Sequence, residues 1–108
     1  MTAASQSVVT LTAGDFRTLV WGSGDRTVLF LHGLSGVAEV WGPTVSYLPA
    51  GRRYVALDQR GHGQSPRSVD ISYSVNSFVT DTAELIATLR GRVHLVGHSM
   101  GARVALVL

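Results

Sequence analysis

The sequence predicts an α/β domain whose mostly parallel sheet is opened by an N-terminal antiparallel hairpin. Two observations predict it: alternating apolar residues broken by glycine at the start of the chain, then short continuous apolar runs separated by loops and helical patterns. Val8, Thr10 and Thr12 alternate with Val9, Leu11 and Ala13; Gly14-Asp15 interrupts, and residues 16–21 follow before Gly22-Ser23-Gly24, a strand, turn and strand. Val28-Leu29-Phe30-Leu31 is continuously apolar and stops at His32-Gly33, the pattern of a strand buried on both faces, which requires helices on each side. Pro43 suits the first turn of a short helix through about residue 48, where its missing N–H costs nothing, and Pro49-Ala50-Gly51 stops it. A strand over 54–58 follows Arg52-Arg53.

Over 74–89, Val75, Phe78, Val79, Ile86 and Leu89 recur at helical intervals with Leu85 beside them. Ser74 is the expected N-cap, Gly91 the stop, and Arg90 complements the negative helix end. A strand over 93–96 breaks at Gly97, and a last helix runs to Leu108. Parallel neighbours need crossover connections, so strands alternating with helices give a parallel sheet. Arg52, Arg53, Arg90 and Arg92 precede strands and fall at the sheet edge opposite the one that binds ligands in such folds, a solvated face. Asp81 and Glu84 lie off the apolar stripe and are expected in solvent, while Trp21, Trp41 and Tyr47 are expected in the core.

Composition narrows the function. At 108 residues, 45% hydrophobic and 15% charged, residues 1–108 make one folded domain. Nine arginines, no lysine and seven acids leave a net charge of only +2, which argues against a nucleic-acid partner. The absence of cysteine excludes disulfides, thiolate metal sites and a cysteine nucleophile. Residues 1–7 are small and polar and the first basic residue is Arg17, so no secretory leader is expected and the expected location is cytoplasmic. Apolar runs fall far short of the ~20 residues that span a bilayer, so no membrane partner is expected.

Gly97-His98-Ser99-Met100-Gly101 matches G-x-S-x-G directly after a buried strand and at the start of an apolar helix. Glycines on both sides let the chain turn tightly, so Ser99 Oγ can project as a nucleophile, and the helix start directs unpaired N–H groups at a bound carbonyl. Met100 N–H is thus one candidate oxyanion donor, and His32-Gly33-Leu34-Ser35-Gly36 offers Leu34 N–H as the second. Gly33, Gly97 and Gly101 are the glycines these turns need, Gly101 keeping the helix close to the sheet. The loop from Asp58 to Ser65 carries two glycines and several polar groups and is expected to be scaffold. His32, His62 and His98 lack paired metal-ligand spacing or an acid cluster; structural hydrogen bonding is expected of them, with no metal and no cofactor.

With His32-Gly33, Asp58-x-Arg60-Gly61-x-Gly63-x-Ser65 and the elbow at Ser99 in that order, the chain resembles the α/β-hydrolase fold superfamily, specifically serine hydrolases of the esterase, lactonase and haloperoxidase-like kind, from Val8 onward. That resemblance implies attack by Ser99 on an ester-like carbonyl of a small molecule, an acyl-enzyme, and hydrolysis by water activated by a histidine held by an acid. It also implies the order serine, acid, histidine, yet residues 100–108 contain no Asp, Glu or His. The chain is therefore expected to be the N-terminal portion of the fold, ending within the helix after the elbow and weak or inactive alone. Serine at the elbow argues against a dehalogenase or epoxide hydrolase. Two functions follow as expectations: a serine hydrolase lacking its acid and base in this chain, or a truncated, non-catalytic fragment that at most binds a ligand or partner. The strand over 93–96, central in the implied parent sheet, is expected at an exposed edge here and to promote self-association.

Overall fold

A computed structural model describes residues 3–108. Five strands form one mixed sheet in the order β1-β2-β4-β3-β5. Strands β1 (Ser5–Leu11) and β2 (Gly14–Gly22) make the expected hairpin, with Val9 opposite Phe16. The turn falls at Thr12-Ala13 rather than at Gly14-Asp15, which instead opens β2. Gly14 is still required there: its φ is +139°, and a Cβ would stand 2.9 Å from the Pro66 ring. Strand β2 runs antiparallel to β4 (Arg53–Leu57), whereas β3 (Arg26–Leu31) lies parallel to β4 on one side and to β5 (Arg92–Gly97) on the other.

The apolar run of β3 is buried on both faces because each face has its own helices. Leu29 and Leu31, with Val55 and Leu57 of β4, face Phe78 and Leu85 of α2 (Val75–Thr88) and Val104 of α3 (Met100–Val107). The alternate residues Phe30, Tyr54 and Ala56 face Ala38 and Val45, from a 3-10 helix (Ala38–Trp41) and α1 (Gly42–Val45). Adjacent strand residues point to opposite faces, so two clusters emerge from each continuous apolar strand. The single helix expected over 43–48 is split: the 3-10 turn precedes it, and bonds from Tyr47 N–H to Thr44 O and Leu48 N–H to Val45 O finish it as a tight coil.

Helix α2 is capped as its sequence indicates, Ser74 Oγ accepting from Ser77 N–H at 3.3 Å. After it Gly91 adopts φ +73°, where a Cβ would lie 2.2 Å from Asp25 O. The arginines before the strands lie at the surface, Arg53 only partly. Two expectations fail. Asp81 is only 3% exposed, because Arg60 reaches it from the loop after β4, while Glu84 is half-buried and accepts from Thr12 N–H. Trp21 is buried and Trp41 stacks on Phe30 at 4.7 Å, but Tyr47 is 89% exposed, since the coil ending α1 turns it off the sheet.

At the far end of the sheet β5 has β3 as its strand neighbour, and no second one among the described residues. Val93 and Leu95 pack partly against the α2/α3 side; His94 and Val96 on the other side are exposed. No helix of the described residues is long and apolar enough to cross a membrane.

Candidate active site

Between β5 and α3 the chain reverses at Ser99, whose φ of 54° and ψ of −114° place a non-glycine residue in left-handed backbone. Such a conformation costs about 1–3 kcal/mol and persists only where its surroundings over-determine it. They do so here: His98 N–H donates to Leu31 O (3.1 Å), Gly101 N–H to His98 O (2.9 Å) and Arg103 N–H to Ser99 O (3.2 Å). A Cβ on Gly101 would fall 2.1 Å from Leu31 O, and one on Gly97 would fall 2.5 Å from Gly101 O. Glycine at 101 lets the helix approach β3 this closely, and glycine at 97 lets it approach the end of β5. A Cβ on Gly33 would meet His98 Nδ1 at 3.0 Å and Ser99 Cβ at 3.3 Å, so the loop after β3 rests directly on the elbow.

That loop is held from two sides. Gly33 O accepts from His32 Nδ1–H (2.8 Å) and from Gly36 N–H (2.9 Å). A trans peptide sets N–H opposite C=O, so fixing this carbonyl turns Leu34 N–H away from His32. The tautomer follows from His32 Nε2, which accepts from Gln59 N–H at 3.0 Å, leaving the proton on Nδ1. Burial pushes the His32 pKa down, the neighbouring His62 adding to this against the Gly33 carbonyl, which keeps the ring neutral. His62 stacks on it with ring centres 4.8 Å apart; its Nε2 accepts from Ser35 N–H (3.1 Å), and its Nδ1–H donates to Arg60 O (2.9 Å). Ser35 is the other non-glycine residue at positive φ among the described residues, +66°.

Both nitrogens of His32 and of His62 are thus engaged, and no hydrogen bond among the described residues links either ring to Ser99. His94 and His98 are exposed. The amide N–H groups of Leu34 and Met100 donate to nothing among the described residues; Met100 opens α3, where a helix offers its first N–H groups no internal acceptor. Leu34, Ser99 and Met100 line a cleft of about 460 Å³ together with Tyr73, Val75 and Phe78. Arg103 and Val104 of α3 complete it.

The loop after β4 is built differently. Asp58 Oδ1 accepts from Ala38 N–H (2.7 Å), and Oδ2 from Arg17 Nε (2.7 Å) and Gln64 N–H (3.0 Å). Arg17 extends to both Glu39 oxygens, and its own N–H donates to buried Ser65 Oγ. Burial would raise the Asp58 pKa, but the Arg17 side chain and the two amides outweigh it and hold the carboxyl below its ordinary range. Glu39 is lowered mainly by its bonds to Arg17. Gly63, at φ +54°, leaves room for that carboxylate, which a Cβ would meet at 2.1 Å. Arg60 grips both Asp81 oxygens at 2.7 Å and Ser72 O, tying the loop to α2. Among the described residues no three His, Asp or Glu side chains gather in a metal-binding group.

A family model of the alpha/beta hydrolase fold matches residues 26–108, the stretch from β3 through the elbow and α3. The chain belongs to the alpha/beta hydrolase fold family. It is 43% identical to a 2-(acetamidomethylene)succinate hydrolase of Mesorhizobium japonicum over 83 residues, covering 76% of this chain and 29% of that protein. It is also 38% identical to the sn-1-specific diacylglycerol lipase ABHD11 of Danio rerio over 89 residues, 79% of this chain and 27% of that one. The crystal structure of an epoxide hydrolase from Vigna radiata superimposes with a TM-score of 0.87 at 34% identity, over 98% of this chain and 35% of that one. The chain thus spans roughly a third of the length of such hydrolases.

In this member of the family, the geometry brings Ser99, Leu34 and Met100 to one cleft, with Gly33, Gly97 and Gly101 as close-approach positions around it. Sequence reasoning missed the bond from Ser35 to His62. Strand β4 is two strands away from β5, and nothing in the spacing shows that its loop folds back over the end of β3.

Proposed function

We propose that this chain carries the nucleophile and oxyanion-binding half of a serine hydrolase acting on an ester-like carbonyl of a small molecule. The backbone of Ser99 carries the proposal: a non-glycine residue held in left-handed conformation between a strand and a helix, at a cleft it shares with two undonated amides. Attack by Ser99 Oγ on the carbonyl carbon would place negative charge on the carbonyl oxygen, where Leu34 N–H and Met100 N–H are available to receive it. Collapse would expel the alcohol and leave the acyl group on Ser99, to be hydrolysed by water.

A second function, a non-catalytic fragment that binds a ligand or a further copy of itself, is favoured by a specific observation. Both nitrogens of buried His32 and of half-buried His62 are committed elsewhere, and no hydrogen bond among the described residues joins a base to Ser99 Oγ. Titration with a fluorophosphonate probe distinguishes the two. We expect slow labelling confined to Ser99 and abolished in Ser99→Ala, because oxyanion stabilisation persists without the base. Turnover of activated aryl esters should be far below that of a full-length relative and little changed by the same substitution. A folded chain that no probe labels at Ser99 would establish the non-catalytic function; sedimentation would then show whether copies pair through the free edge of β5.

A further inference from the structure

We infer that His62 is a positioning residue for the oxyanion loop, its Nε2 clamping Ser35 N–H so that the preceding Leu34 amide stays aimed at the cleft. The inference rests on assigning Ser99 as nucleophile and Leu34 N–H as donor. Leu34 lies between two peptide units, and different groups hold each of them. The Gly33–Leu34 unit is fixed through its carbonyl by His32 Nδ1–H and Gly36 N–H. The Leu34–Ser35 unit is fixed through its N–H by His62 Nε2 at 3.1 Å, from a loop belonging to another strand. Without the second anchor the Leu34–Ser35 unit is free to swing, which carries Gly36 N–H off Gly33 O and leaves the Gly33–Leu34 plane, and with it Leu34 N–H, held by the His32 bond alone.

His62 suits the task because its own orientation is set three ways. Its Nδ1–H donates to Arg60 O, which assigns the free lone pair to Nε2; its ring stacks on His32 at 4.8 Å; and Phe78 of α2 meets its edge at 6.5 Å. Arg60 is in turn held by Asp81 of α2. The clamp thereby links the oxyanion loop to α2, which contributes Val75 and Phe78 to the lining of the cleft. It also accounts for Ser35 at φ +66°: the left-handed backbone presents its N–H to the imidazole, and Ser35 itself is exposed.

The test uses His62→Phe, which keeps an aromatic ring between His32 and Phe78 but removes the acceptor, and His62→Gln, whose amide oxygen can accept. Amide hydrogen exchange at Ser35 should accelerate about tenfold in His62→Phe and return toward the wild-type rate in His62→Gln. Fluorophosphonate labelling of Ser99 should slow by about tenfold in the first variant and recover in the second. Unchanged exchange in a folded His62→Phe would overturn the clamp. If wild-type Ser99 is not labelled at all, the nucleophile assignment has failed, a result the exchange contrast does not depend on. Should His62→Phe not fold, nitrogen NMR of the wild type decides: a protonated Nδ1 with a bare Nε2 coupled to Ser35 N–H upholds the clamp, and a protonated Nε2 refutes it.

Discussion

The loops after β4 and β5 sit at the same edge of the sheet and are built on opposite terms. In the first, Asp58, Arg17, Glu39, Ser65, Arg60 and Asp81 satisfy one another, and the glycine at 63 relieves what would otherwise be a clash. In the second, a serine is held in strained backbone, and this turn and the neighbouring loop carry two amides with no acceptor among the described residues. Buried polar groups stabilise when fully paired and cost heavily when half-paired, whereas a reactive site needs donors left open for the transition state. The closed network supplies the rigidity against which the open one is strained.

Breaking the closed network should have the largest effect. Arg17→Met leaves Asp58, fully buried, without its cationic partner and should lower unfolding stability by about 3–5 kcal/mol in a denaturant titration. The pH dependence sharpens this. Asp58 and Glu39 have folded pKa values below their ordinary ones, so their stabilisation is complete above the unfolded carboxylate range and is lost as pH falls through the lowered values. The depressed His32 acts in the same direction in a higher window, stability declining as pH falls below about 6.5. Wild type should therefore weaken in two stages on acidification, and Arg17→Met should lose most of the lower one. An Arg17→Met protein as stable as wild type would show that the network is not the anchor of this edge.

Gly101→Ala comes next. Its Cβ would press on the backbone of β3 at 2.1 Å, and backbone cannot rotate out of the way, so α3 must lift from the sheet. Overpacking of this kind costs about 1–3 kcal/mol, and the upper figure is expected here. Labelling at Ser99 should fall with stability, because the same displacement moves Met100 N–H.

Much of this was legible in the sequence, for reasons the two loops make plain. Periodicity reports burial, so continuous apolar β3 and the striped α2 were readable, as was the elbow, whose glycines are demanded by backbone contacts local to the motif. Partners distant in the chain were not. Asp81 reads as a solvated residue off the stripe because its arginine lies 21 positions away, and Ser35 gives no sign of a histidine 27 positions on. Gly14 reads as a turn glycine, whereas the contact that demands a glycine there comes from Pro66, 52 positions on in another loop. Apolar patterning carries fold, while polar pairing across loops is written only in three dimensions.

The smallest effects should separate two serines by sign. Ser65→Ala removes the acceptor of Arg17 N–H within the buried network and should cost about 1–2 kcal/mol, the penalty for a donor left unpaired. Ser99→Gly should do the reverse. Glycine occupies φ 54° without a Cβ penalty, so the relieved strain of about 1–3 kcal/mol exceeds the roughly 0.5–1 kcal/mol of backbone entropy that glycine loses on folding. A net gain of about 1 kcal/mol, measured alongside complete loss of probe labelling, would show that stability was surrendered at this position for reactivity. A loss instead would mean that the elbow is as comfortable as the loop after β4, and strain would then have no part in presenting Ser99.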